Sequence, residues 1–198
     1  MKRSKKAALV LTVPVATLLI AGCEKEVQGM VYNNPDECST GGWNSAEQCE
    51  ADYATAKALH PQVAPKYVNK QECEADFGEG KCETAPQQTA SGGSFFMPMM
   101  MGYLAGQMMN RGGANTQQPG GANMQQPTAA GAGTSVPSQP LYKSRDDRET
   151  FRTATNTPVA KGVGPVSFKP SQVKPQAGRL VRRGGFGQQA ATRSSFGS

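Results

Sequence analysis

Histidine and tryptophan are almost absent from this chain of 198 residues, which contains one of each. A single histidine excludes metal centres built from several imidazoles, and any catalytic triad or dyad would depend on His60 alone. Hydrophobic residues make up only 37% of the chain, beside 23 glycines and 14 prolines. This composition does not supply one core for the whole length. No Gly-x-x-x-x-Gly-Lys phosphate-binding loop is present. We therefore expect a protein without enzymatic activity and without a cofactor.

Acidic residues are missing from the end of the chain: none follows Glu149, whereas eight basic residues do. Residues 24–86 contain 12 acids and 5 lysines, so the net charge of +6 combines an acidic first part with a basic last part. Such asymmetry is typical of an interaction tail. We expect its partner to be anionic lipid, lipopolysaccharide, an envelope protein or the acidic part of the same chain. Nucleic acid is not an expected partner, because an export signal precedes these residues.

That signal lies in the first 22 residues. Residues 1–6 carry four positive charges and no acid, and residues 7–20 are uncharged and mostly apolar. The apolar run is shorter than the roughly 20 residues that span a bilayer, and it fits the apolar region of a signal peptide. Two small residues then precede Cys23, which is the pattern of a bacterial lipobox whose thiol receives a diacylglycerol. We therefore predict an envelope protein that begins at Cys23, faces the periplasm and is held on the membrane by acyl chains.

Residue 24 bears on which membrane holds the protein. Aspartate at this position is associated with retention in the inner membrane, and the chain has Glu24 instead, so we favour the outer membrane. Residues 23–29 would form the tether of the anchor. The alternative is an ordinary secreted protein that is cut near the same point and keeps Cys23 as a free thiol.

A duplicated cysteine unit occupies residues 30–86. Residues 32–38 align without gaps to residues 67–73, with Tyr, Asn, Glu and Cys matched. Four cysteines in an oxidising periplasm predict two disulfides, with three possible pairings, and the repeat favours Cys38–Cys49 and Cys73–Cys82. A zinc site made from all four is disfavoured, because the close C-x2-4-C pairs of zinc ribbons are missing.

Helix-capping residues recur in the same repeat. Asn34 and Asn69 each precede an acid by three residues, which is the spacing of a capping box. Ser45 has the same relation to a glutamine and opens a third helix, which we expect to end at His60-Pro61, and Gly78 stops the helix after Asn69. We therefore predict a small α-rich head stapled by disulfides. His60 is interpreted as a helix-end residue and the acids on these helices as a solvated face; those acids are residues 47, 50, 52, 72, 74, 76 and 79.

Methionine is concentrated in residues 94–110, the one strongly apolar segment after the signal, which we predict to be a short helix. Three interpretations stay open. The helix packs on the head; or it lies at the membrane or associates with itself through Gly102 and Gly106; or its thioethers bind Cu(I) or Ag(I). The candidate metal ligands are Met97, Met99, Met100, Met101, Met108 and Met109.

Residues 111–198 have the composition of a disordered Gly/Gln/Pro-rich and basic tail, in which 141–150 has the pattern of a brief helix. Near its end, Arg182, Arg183 and Phe186 could form a short docking motif for an anionic or aromatic-lined partner. The alternative is a solvated tail end without a partner. As a whole, we predict a mostly disordered protein with a duplicated α-rich head, one Met-rich helix and a long basic tail.

Several segments together resemble the YgiB-like family of uncharacterised proteins from Gram-negative bacteria. The segments that carry the resemblance are 21–25, 32–38, 64–67, 77–82, 94–98, 102–103 and 183–187. The resemblance covers nearly the whole chain. It implies a bacterial envelope protein of unknown function and adds nothing on mechanism.

Overall fold

The computed structural model describes residues 24–89, 92–105 and 136–195 of the chain. Strands and helices both contribute to the fold. The strands are β1 (Val27–Tyr32), β2 (Cys82–Gln88), β3 (Ser94–Pro98), β4 (Gly102–Ala105), β5 (Gln139–Leu141), β6 (Thr150–Arg152), β7 (Pro158–Lys161) and β8 (Gly164–Phe168). The helices are α1 (Pro35–Thr40), α2 (Ala46–Val63), α3 (Lys70–Phe77), α4 (Pro170–Val173) and α5 (Gln188–Ser195).

A four-stranded antiparallel sheet with the order β5-β4-β1-β8 forms the centre of the fold. β1 pairs with β8 on one side, where Val27 faces Phe168, and with β4 on the other, where Tyr32 faces Tyr103. Two hairpins, β2-β3 and β6-β7, complete the strands of the described segments. β1 thus pairs on both sides with strands more than 70 residues away along the chain. This pairing joins the last part of the chain to its first part.

The expected α-rich head and Met-rich helix are wrong. Residues 94–98 and 102–105 are strands, and Pro98 is paired with Cys82 at the end of the β2-β3 hairpin. Two phenylalanines in the first strand favour extended structure, and a strand end tolerates a proline. Gly102 is small for a reason other than helix association: a Cβ there would lie 2.6 Å from the Phe151 ring and 2.7 Å from the Tyr32 carbonyl oxygen.

The expected disorder of the tail is also wrong for residues 136–195, and the expected brief helix at 141–150 does not form. The few apolar side chains of this part are placed where they become buried: Val136, Leu141, Phe151, Phe168 and Val173 pack with β1 and β4 in one cluster. Averaging the composition over a long segment concealed these residues, because most of the other residues in it are Gly, Gln, Pro, Ser and Thr.

The capping residues of the repeat behave as predicted. The side chains of Asn34, Ser45 and Asn69 each accept a hydrogen bond from the backbone amide three residues later, and α3 ends at Gly78. The disulfides Cys38–Cys49 and Cys73–Cys82 are both formed, as the repeat predicts. One boundary differs: α2 continues past His60 to Val63 with Pro61 inside its last turn, although a proline there removes one hydrogen bond to the carbonyl four residues back.

Candidate functional site

The Arg-Gly-Gly-Phe loop near the end of the chain is docked on the α3 helix. One carboxylate, that of Asp76, accepts hydrogen bonds from three successive backbone amides: Gly184 at 2.6 Å, Gly185 at 3.2 Å and Phe186 at 3.2 Å. Successive amides that converge on one anion form a nest, and Gly184 permits it by adopting a φ of 73°. The loop is therefore held by its backbone.

Asp76 itself is buried, contrary to the solvated face that its sequence position suggested. The Tyr67 hydroxyl donates a further hydrogen bond to it at 2.9 Å. Burial raises the pKa of the Asp76 carboxyl above its ordinary value, and the hydrogen bonds from the loop and from Tyr67 oppose that rise. Burial also raises the pKa of the Tyr67 hydroxyl, which keeps it protonated as a donor.

Aromatic rings close over the other side of the loop. Phe186 is buried, with its ring centroid 4.7 Å from that of Phe77 and 6.3 Å from that of Tyr142. The next residue, Gly187, exchanges two hydrogen bonds of 2.9 Å with the Asn156 side chain. Phe186 thus packs in the core of its own chain, so the part of the expected docking motif that remains exposed is the arginine pair.

Arg182 and Arg183 carry that exposed part, and both side chains are open to solvent. Neither forms an ion pair with any residue in 24–89, 92–105 or 136–195. Further exposed cations precede them along the same stretch, at Lys169, Lys174 and Arg179. The backbone at Arg179 is also fixed, because its carbonyl accepts a 2.9 Å hydrogen bond from the Lys66 amide. The chain therefore presents its unpaired guanidinium groups from a rigid support.

His60 is buried and forms part of a hydrogen-bonded chain that includes Tyr142, whose ring packs near Phe186. Its Nδ1 is 2.8 Å from the Tyr142 hydroxyl and its Nε2 is 2.9 Å from Glu83 Oε1. Burial lowers the pKa of His60, and the Glu83 carboxylate opposes that shift. In the neutral ring Nε2–H donates to Glu83, and Nδ1 accepts from Tyr142. This arrangement joins α2, β2 and the residue after β5, and the Tyr142 hydroxyl within it is closed to solvent because Tyr142 is fully buried.

Two of the methionine candidates lie in different hydrophobic clusters, and Met101 is half-buried outside both. Met97 packs with Tyr67 and Phe77, whereas Met100 packs against the cluster of Tyr32 and Tyr103. Met99 is 40% exposed. Gly102, expected on a self-association face, is buried inside the chain. The remaining predicted site residues, Cys23, Gly106, Met108 and Met109, lie outside the described residues.

The described segments contain neither a metal-binding cluster nor a membrane-spanning helix. They contain no group of three or more His, Cys, Asp or Glu side chains that could hold a metal ion. No helix in the same segments has the length and apolar character needed to cross a bilayer.

Sequence reasoning singled out Arg182, Arg183 and Phe186 but missed Asp76, which accepts the amides of residues 184–186. Asp76 is separated from the loop by about 110 residues, so no local pattern connects the two. Tyr142 and Glu83 were missed for the same reason. The one available signal was the position of Asp76 beside Phe77 in the last turn of α3, where it could accept amides from a neighbouring loop.

Comparison with known proteins places the chain in a family. A family model described as a protein of unknown function, DUF1190, matches residues 26–197. The chain belongs to this family. It is 32% identical over 193 residues to a UPF0441 protein of Klebsiella pneumoniae, a match that covers 91% of this chain and 80% of the relative. A UPF0441 protein of Erwinia tasmaniensis is 33% identical over 191 residues, with the same coverage. No solved structure matches.

Membership of a family of unknown function agrees with the resemblance drawn from the sequence. The match includes the docked loop and α3, so Asp76 and its three amide donors lie within the family region.

Proposed function

We propose that this protein is a non-enzymatic, lipid-anchored protein of the cell envelope that acts as an interaction or structural module. In this proposal Cys23 is acylated after removal of residues 1–22, the domain faces the periplasm, and the outer membrane is favoured over the inner. Two disulfides support export, because such bonds persist in oxidising compartments. We also propose that the chain is a member of the YgiB-like group that its sequence resembles.

The observation that carries the interaction role is the docked loop. The Asp76 carboxylate accepts hydrogen bonds from three backbone amides of the loop. The side chains of Arg182 and Arg183 are not part of this contact and remain exposed. Holding the backbone lowers the entropy lost when those side chains bind an anion, since ordering a loop costs free energy on binding. An anionic envelope partner, whether protein, lipid or lipopolysaccharide, fits this presentation.

Photo-crosslinking in living cells tests the interaction role. A photoreactive residue at Gln188, exposed and just beyond the loop, should crosslink to the partner. The double change Arg182→Glu and Arg183→Glu should reduce those crosslinks about tenfold, because like charges against an anionic partner oppose association. The matched control is Lys57→Glu with Lys161→Glu, which reverses two exposed charges elsewhere. Crosslinks that survive arginine reversal, or that fall equally in the control, would refute the arginine interface.

Soft-metal binding by the methionines is the alternative function, and the geometry favours it less. Met97 and Met100 belong to different clusters, so binding one ion with both would require repacking. Titration with Cu(I) of the protein and of a variant with Met99 and Met101 changed to Leu measures it directly. Tight binding that is lost in the variant would establish the alternative.

A further inference from the structure

Glu24 is hydrogen-bonded to a residue 147 positions further along the chain. Glu24, which directly follows Cys23, accepts a 2.8 Å hydrogen bond from the Ser171 amide through Oε1 and pairs with the Ser171 hydroxyl through Oε2. These hydrogen bonds lower the pKa of Glu24, which keeps the carboxylate charged as an acceptor. We refer to this contact as the Glu24–Ser171 clasp.

Residues just beyond the clasp are fixed as well. β1 begins at Val27, which pairs with Phe168 at the end of β8, three residues before Ser171. Residues 25 and 26 therefore bridge two fixed points, so the part of the predicted tether that follows Cys23 is held against the domain from Glu24 onward. What separates Cys23 from a fixed point on the domain is one peptide unit, about 3.8 Å between Cα atoms.

A short connection of this kind fixes orientation. Acyl chains attached to Cys23 must enter the bilayer, and the clasp then keeps α4 and its flanking residues at the depth of the lipid headgroups. Exposed Lys169 and Lys174 flank α4, and lysines near an anionic bilayer surface attract it by about 1 kcal/mol each. Glu26, also exposed, offsets part of that charge. The orientation is therefore set mainly by the short connection between Cys23 and the clasp, and the lysines add to it.

Trp43 lies at the opposite end of β1. The six residues of β1 lead from the clasp towards Tyr32, a span of about 17 Å at the rise of a strand. The neighbouring Asn44 side chain donates to Cys38 Sγ at 3.6 Å, and Cys38 packs with Tyr32. Trp43 is 71% exposed there, and it is the one tryptophan of the chain.

We infer that the Glu24–Ser171 clasp sets how the domain stands on the membrane, with the α4 edge on the lipid headgroups and Trp43 directed away from them. This inference rests on the proposed acylation of Cys23. The partner of the α4 edge is the headgroup layer of the same membrane that holds the acyl chains. The arginine pair begins eight residues after Lys174 along the chain and is not needed for this contact.

Tryptophan quenching by brominated lipid tests the inference. The acylated protein is placed in vesicles of phosphatidylethanolamine and phosphatidylglycerol that contain phosphatidylcholine brominated near the headgroup end of its acyl chains. Trp43 should lose less than about a tenth of its emission, whereas a tryptophan introduced by Lys174→Trp in a Trp43→Phe background should lose about half or more, since the interface lies beside it.

Breaking the clasp provides the second arm. Glu24→Ala in the Lys174→Trp background should reduce quenching at position 174 at least about twofold, because a longer free tether lets the domain turn. Glu26→Ala is the matched control, since it removes the same charge two residues away from the clasp and should leave the quenching unchanged. Vesicle flotation is measured for every variant.

The outcomes separate the two proposals. Protein that does not float with the vesicles, or that carries no acyl chain, would refute the anchor and this orientation with it. Protein that floats but shows equal quenching at positions 43 and 174, or no effect of Glu24→Ala, would overturn the orientation and leave the anchor standing.

Discussion

Replacing Asp76 with Asn removes the charge that holds the C-terminal loop while it keeps the size of the side chain. The carboxylate accepts from Gly184 through Oδ1, and from Tyr67, Gly185 and Phe186 through Oδ2. An amide has one oxygen, so at least one donor must then face an NH2 group. A buried donor without an acceptor costs about 1–3 kcal/mol, and the surviving bonds lose their charge assistance.

Relief of the buried charge offsets part of this loss, because burial already raises the pKa of Asp76. We expect Asp76→Asn to lower the free energy of unfolding by about 2–3 kcal/mol. Denaturant unfolding followed by far-UV circular dichroism measures this, and hydrogen exchange should show faster exchange of the Gly184, Gly185 and Phe186 amides.

The matched control is Glu50→Gln, which neutralises an exposed acid on α2 and should change stability by less than about 0.5 kcal/mol. If Asp76→Asn is as stable as this control, or if the three loop amides keep their protection, the loop is not held by the carboxylate and the reasoning fails.

Three further predictions concern pH, packing and the disulfides. Burial lowers the pKa of His60 from its ordinary value of 6.5, so the fold favours the neutral ring. Its free energy of unfolding should therefore fall as the pH decreases below 6.5. The variant His60→Gln should flatten this dependence in unfolding measured from about pH 8 to about pH 5. Gly102→Ala should destabilise by about 1–3 kcal/mol because its Cβ meets the facing phenyl ring, while Gly41→Ala, with ordinary contacts, should be near neutral in the same denaturant assay. Changing Cys73 and Cys82 to Ser together should cost about 2–3 kcal/mol for a separation of 9 residues, measured as a lower unfolding midpoint.

Each of these has a contradicting result. Equal pH profiles for the wild type and His60→Gln would show that another group governs the acid side. A Gly102→Ala protein of wild-type stability would mean that both the Phe151 ring and the Tyr32 carbonyl move aside without cost. A double serine variant that unfolds with the wild type, while the wild type is insensitive to reductant, would show that the bridge contributes nothing.

Local features of the fold could be predicted from the sequence because their causes are local. Asn34 and Asn69 cap helices through a contact only three residues long, and the cysteine pairing follows from a repeat within one segment. Val27, Gly29 and Val31 are buried while Gln28 and Met30 are more exposed, the alternation typical of a strand.

The remainder depends on contacts that no window along the chain reveals. Val27 pairs with Phe168 across the sheet, and Asp76 accepts hydrogen bonds from the amides of residues 184–186. Low apolar content predicted disorder after residue 110, yet residues 136–195 fold because their few apolar side chains complete a core begun by β1 and β4. The basic end was predicted to seek an anionic partner. Asp76 of the same chain binds backbone amides of this end and not its guanidinium groups, so the anionic partner of the arginines stays a prediction.

Intact mass spectrometry of the protein purified from membranes tests the central proposal most directly. We predict a mature chain that starts at Cys23 and carries three acyl chains on that residue, which the exchange of Cys23 for Ser abolishes. Recovery of the unprocessed chain with Met1, soluble and free of lipid, would contradict the lipid anchor and the membrane orientation that depends on it.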